Sequence, residues 1–117
     1  MNIEEFRNYC MAKKGVTEGF PFDGETLVFK VLGKMFALAP LERRPSQVNL
    51  KCEPERAISL REEYDGIIFP GYHMSKVHWN TLYLDQLNPA LLKELIDHSY
   101  DLVFSKLPKK LKATIQS

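Results

Sequence analysis

The sequence predicts an α+β domain: a two-layer α/β sandwich in which an antiparallel sheet is covered by an amino-terminal helix, a middle helix and a long carboxyl-terminal helix. Three observations predict it. Apolar residues recur at three- and four-residue spacing near both ends of the chain. Between those ends lie β-prone runs joined by Gly- and Pro-containing turns. Strands do not alternate with helices as a parallel doubly wound sheet requires, and no Gly-x-Gly-x-x-Gly or Walker-type loop occurs.

The first helix is expected over 2–13, with Asn2 as cap, Glu5 completing a capping box, and Ile3, Phe6, Tyr9 and Cys10 forming one stripe. Gly15 follows where a left-handed residue ends helices. The stretch 17–25 is turn-rich, and its alternating Phe20 and Phe22 allow a short edge strand. Residues 26–32 and 35–39 read as a hairpin around Gly33-Lys34, with Gly33 supplying the positive φ of a II′-type turn. An exposed loop with Arg43 and Arg44 leads to 47–52, where Val48, Leu50 and Cys52 alternate with polar residues as in a half-buried strand. Pro54 starts the middle helix, which runs to about Tyr64 and closes at Asp65-Gly66. Residues 67–69 form a short strand ending at Pro70, and 77–84 a longer one after the Pro70-Gly71 turn. Asn88 and Pro89 then open the long helix, whose stripe of Leu91, Leu92, Leu95, Ile96, Ser99, Leu102 and Val103 continues to about Leu107. Residues 109–117 are expected as a frayed basic tail.

At 117 residues, 44% of them hydrophobic, the chain is expected to form a single domain over 1–117 with its own core. Sixteen basic and fifteen acidic residues leave a net charge of +1, so binding to nucleic acid depends on local clustering rather than overall attraction. Cys10 and Cys52 belong to no Cys-x-x-Cys pattern and read as reduced apolar residues, with neither a zinc site nor a disulfide framework. The acidic amino terminus is unlike a signal peptide, and no apolar run nears the ~20 residues of a membrane span. These features lead us to expect a cytoplasmic monomer with no membrane contact.

The stretch 70–84 concentrates the chemistry: it holds the one tryptophan and two of the three histidines. His73 and His78 suggest metal ligation or acid–base work, but no third ligand stands at a defined spacing. Trp79, Thr81 and Tyr83 share one face of the expected strand, and His78, Asn80, Leu82 and Leu84 the other. The indole either stacks on a ligand ring or anchors the long helix to the sheet. His98, Ser99 and Asp101 resemble a hydrolase triad in composition only, because residues one and two apart on a helix diverge. Positive charge clusters at Lys30 and Lys34 on the hairpin, at Arg43 and Arg44, at Lys76, and along Lys106, Lys109, Lys110 and Lys112. Basic turns beside an aromatic strand suit phosphate contacts with base stacking. The acid-rich segment 53–65 opposes a uniformly basic surface.

Lys51-Cys52-Glu53-Pro54-Glu55, Leu60-Arg61, Pro70-Gly71-Tyr72-His73-Met74-Ser75-Lys76-Val77-His78-Trp79-Asn80-Thr81 and Leu95-Ile96-Asp97-His98-Ser99-Tyr100-Asp101-Leu102-Val103 together resemble the MmcQ/YjbR family of small bacterial proteins. The resemblance covers nearly the whole chain. It implies a CyaY-like α/β sandwich and a general description as DNA-binding; we further expect no enzymatic activity and no cofactor. Two departures stand out: Gln86, where the family often has Gly after Asp, and Glu53, where Asp is commoner before the proline. The description as DNA-binding names no set of contact residues. The charge pattern leads us to expect phosphate contacts at Lys30, Lys34, Arg43, Arg44 and Lys76, and the aromatic stretch stacking or polar contacts at Tyr72, His73, His78 and Trp79. The alternatives are a protein-interaction or chaperone-like module, and a small-ligand or metal pocket near His73, His78 and Trp79.

Overall fold

The computed structural model describes residues 1–71 and 74–115. Its elements are α1 (Ile3–Met11), β1 (Val16–Gly19), β2 (Thr26–Val31), β3 (Lys34–Pro40), β4 (Gln47–Lys51), α2 (Pro54–Glu63), β5 (Ile68–Pro70), β6 (Trp79–Tyr83), a 3-10 turn at Leu84–Gln86, α3 (Pro89–Ser105) and α4 (Lys109–Ala113). The described strands form one antiparallel sheet in the order β1-β2-β3-β4-β6-β5. Strands β1 to β4 meander. Helix α2 then carries the chain past the next position to the far edge, where β5 forms, and β6 returns to fill the gap.

Local capping fixes the helix starts. Asn2 and Glu5 form the reciprocal capping box. Asn88 accepts the amide of Ala90, and Glu53 caps α2 by accepting the amides of Glu55 and Arg56. The helices cover one face of the sheet. Phe6 and Cys10 of α1 and Leu92, Leu95, Ile96 and Val103 of α3 meet Phe29, Val31, Ala37, Ala39, Val48, Leu50 and Leu82 in one core. Phe6 and Phe29 meet edge to face at 5.8 Å, an arrangement worth about 1 kcal/mol beyond area burial. Ion pairs pin the layer at its margins: Arg7 to Glu18, Lys13 to Asp97 and Arg56 to Glu94.

The structure departs from the expected boundaries in four places and adds a bulge. The hairpin loop is Leu32-Gly33, since Val31 pairs with Lys34, and both loop residues have positive φ, 47° and 89°. It is therefore a I′-type rather than a II′-type turn. Between the Phe29–Ala37 and Lys30–Met35 pairs the register shifts by one residue. That bulge turns Phe36 and Ala37 both toward the core. The amino-terminal edge strand is Val16–Gly19, ahead of the phenylalanines, and Phe20 and Phe22 stay exposed in the loop that follows. Strand β6 starts at Trp79 rather than Val77, because the amides of His78 and Trp79 both turn back to the Ser75 carbonyl. The expected frayed tail is helical over Lys109–Ala113, and Ile115 lies against the spot where Gly15 lacks a side chain; residues 116–117 lie outside the described residues.

Candidate binding face

Alternation along the strands sends a second set of side chains to the face the helices leave open. Val28, Leu38 and Trp79 form a small separate cluster there, flanked by Met35 and Met74. Trp79 therefore does not anchor α3, which packs on the opposite side. Nor is its ring an open stacking platform, because only 7% of the residue is exposed.

Gly71 and residues 74–79, the described residues leading into β6, are held from several sides. The Gly71 amide donates to the Trp79 carbonyl at 2.8 Å. A Cβ on Gly71 would stand 2.8 Å from Trp79 Cβ, which explains glycine here. Arg61 reaches from α2, donating from Nε to Asn80 Oδ1 at 2.7 Å and from its terminal nitrogen to the carbonyls of Lys76 and Trp79. Asn80 thus faces α2, while Thr81 faces the open side and donates to Asn49. His78 is exposed in the turn, not on the strand, and its carbonyl accepts the Cys52 amide. Tyr72 and His73 lie outside the described residues.

A groove of about 690 Å³ runs over the open face. Leu38, Met35 and Met74 supply its apolar floor, with Asn49 and Thr81 beside them. Its rim is two loops distant in sequence: Phe22, Asp23 and Glu25 on one, Glu42 and Arg43 on the other.

The structure divides the expected phosphate contacts between two places. Lys34 opens β3, and Lys76 precedes β6, whose first residue pairs with the last of β4. Both therefore lie at the same end of the sheet, with Lys30 opposite Met35 on the neighbouring strand. Arg43 and Arg44 sit in the β3–β4 loop at the opposite end, about 20 Å away along β3. Arg44 donates to the carbonyls of Leu41 and Arg43, which fixes its side chain against its own loop.

On the long helix Ser99, His98 and Asp97 make contacts within the fold, while Asp101 is exposed. Ser99 is buried; its hydroxyl donates to the Phe36 carbonyl at 2.5 Å and accepts the Lys51 amide at 2.9 Å. The hydroxyl is fully engaged and has no base beside it. His98 Nε2 accepts the Glu53 amide at 3.1 Å. Burial, and then the Arg56 guanidinium, push its pKa down. Asp97 accepts from Tyr9 and Lys13, and the Tyr9 hydroxyl is pushed up to about 12 by burial and that hydrogen bond. Both cysteines are free and buried, and burial raises the Cys10 thiol to about 12. Among the described residues, no three His, Cys, Asp or Glu side chains come together as a metal site. No helix among them is long and apolar enough to cross a membrane.

Fold and face together define a class: a two-layer α+β domain with helices on one side of an antiparallel sheet and a groove on the other. The chain belongs to the YjbR family, whose family model matches residues 11–102. It is 37% identical over 112 residues to the Escherichia coli (strain K12) protein YjbR, covering 94% of this chain and 93% of that one. The crystal structure of Deinococcus radiodurans protein DR2400 is similar with a TM-score of 0.88 and 42% identity, over 97% of this chain and 86% of that one. A Pseudomonas syringae crystal structure matches with a TM-score of 0.75 and 31% identity, over 87% of this chain and 98% of that one.

Proposed function

We propose that the protein is a non-enzymatic DNA-binding protein that contacts phosphates through Lys30, Lys34 and Lys76 at one end of the sheet and Arg43 and Arg44 at the other. One observation carries the reading. Among the described residues, none of these five cations is paired with a carboxylate, and all but the half-buried Lys30 are exposed. Arg7, Lys13 and Arg56, by contrast, are engaged in ion pairs that tie elements of the fold together. Lys109 and Lys110 on α4 add exposed charge. With Trp79 covered, the contacts are to the nucleic-acid backbone, so binding is salt-dependent and weakly selective for sequence.

An electrophoretic binding assay on duplex and single-stranded DNA tests this. Lys34→Glu/Arg43→Glu/Arg44→Glu should weaken retention by at least about tenfold, since each reversal replaces a phosphate contact with repulsion. Failure of the unaltered protein to retain either form of DNA at low salt would rule the reading out.

A further inference from the structure

We propose that the groove on the helix-free face docks an extended segment of a partner protein in which apolar side chains alternate with Lys or Arg. The volume, about 690 Å³, is that of a binding cleft, and its floor of Leu38, Met35 and Met74 is apolar and adaptable. Among the described residues the rim carries three carboxylates, Asp23, Glu25 and Glu42, against the one guanidinium of Arg43. Among the described residues none of those carboxylates is in an ion pair. Asp23 is fixed in its charged form by the amides of Glu25 and Thr26, at 2.9 and 2.7 Å, which hold its pKa below the usual range.

The excess of carboxylates over Arg43 attracts a cation carried on an apolar body. Phe22 at the rim is 64% exposed and Phe20 beside it 48%. Exposed aromatic side chains bordering a concave apolar floor are what a protein partner covers. The carboxylate rim lies at the end of the sheet opposite Lys30, Lys34 and Lys76, shares only Arg43 with the five proposed phosphate contacts, and goes beyond the DNA-binding reading.

Trp79, the one tryptophan, packs in the same cluster as Leu38, Met35 and Met74, so its emission reports occupancy of the groove. The probe is a capped octapeptide alternating Leu and Arg, titrated against the whole protein. A peptide with Glu in place of Arg and an oligothymidylate serve as comparisons. The Leu–Arg peptide should give a saturable change in Trp79 emission. Glu25→Lys/Glu42→Lys should weaken it about tenfold, and Phe22→Ser about fivefold. Both sets of side chains are exposed, and unchanged thermal unfolding confirms that the variants fold. Equal binding of the Glu peptide, no saturable change, or displacement of the peptide by oligothymidylate would each overturn the proposal. The lysine variant leaves the phosphate-contacting cations in place, so it should retain DNA while losing the peptide, and the two readings fail separately.

Discussion

The Ser99 hydroxyl of α3 donates to the Phe36 carbonyl of β3 and accepts the Lys51 amide of β4, filling the rung of the β3–β4 ladder next to the Ala37–Leu50 pair. Direct pairing between these strands covers only Ala37–Leu50 and Leu38–Asn49. One side chain thus both completes the sheet and fixes the height at which α3 crosses it.

Ser99→Ala leaves a buried carbonyl and a buried amide unpaired, and should destabilise the fold by about 2–4 kcal/mol. Urea unfolding checks this through a lowered midpoint at unchanged slope. A loss under 0.5 kcal/mol would mean water or a strand shift takes over the rung.

Gly71 and Arg61 both hold the backbone around Trp79 at the start of β6. Gly71→Ala forces a Cβ against Trp79 Cβ and its carbonyl, at 2.8 and 3.0 Å. It should cost about 1–3 kcal/mol and shift Trp79 emission to the red as the loop lifts. Arg61→Ala removes the donor shared by Asn80, Lys76 and Trp79. It should produce the same spectral shift with α2 intact by circular dichroism.

His98 makes stability depend on pH. Its imidazole accepts the Glu53 amide only when Nε2 is unprotonated, and burial holds the folded pKa below the unfolded value of 6.5. The unfolded chain therefore takes up the proton first. The contribution is complete above about pH 6.5 and is lost as pH falls from there through the lower folded value. The difference in unfolding free energy between the unaltered protein and His98→Gln, followed from pH 8 to 5, should shrink with acid. A flat difference contradicts the hydrogen-bond assignment.

Tyr9 should titrate near 12 in an ultraviolet absorbance titration, not near 10. In Asp97→Asn its value should fall, because the hydrogen bond and carboxylate charge that help hold its proton are weakened.

Much of the fold is legible in the sequence because it is written locally. Asn2 with Glu5, Pro54, and Asn88 with Pro89 mark helix starts that need no tertiary partner. Val48, Leu50 and Cys52 show by alternation which side of β4 is buried. Less legible is what depends on distant contacts. Leu32 takes a left-handed conformation that its type disfavours, so the sequence pattern points to a turn one residue further on. Alternation assigns Trp79 a face but does not say which face meets the helices; that follows from α2 and α3 docking beneath Asn80 and Leu82. The groove joins Phe22 and Asp23, Glu42 and Arg43, and Met74 and Ser75, and no spacing rule links them. Basic residues stand out in the sequence, but their division between the two ends of the sheet depends on strand direction.

The measurement that tests the DNA-binding account most directly is the salt dependence of DNA affinity, for the unaltered protein and for Lys30→Gln/Lys34→Gln/Lys76→Gln. We expect log K to fall linearly with log salt at a slope of about −0.9 for each phosphate neutralised, and the triple variant to flatten that slope by about 2–3. An unchanged slope in the variant, or binding insensitive to salt, would contradict it.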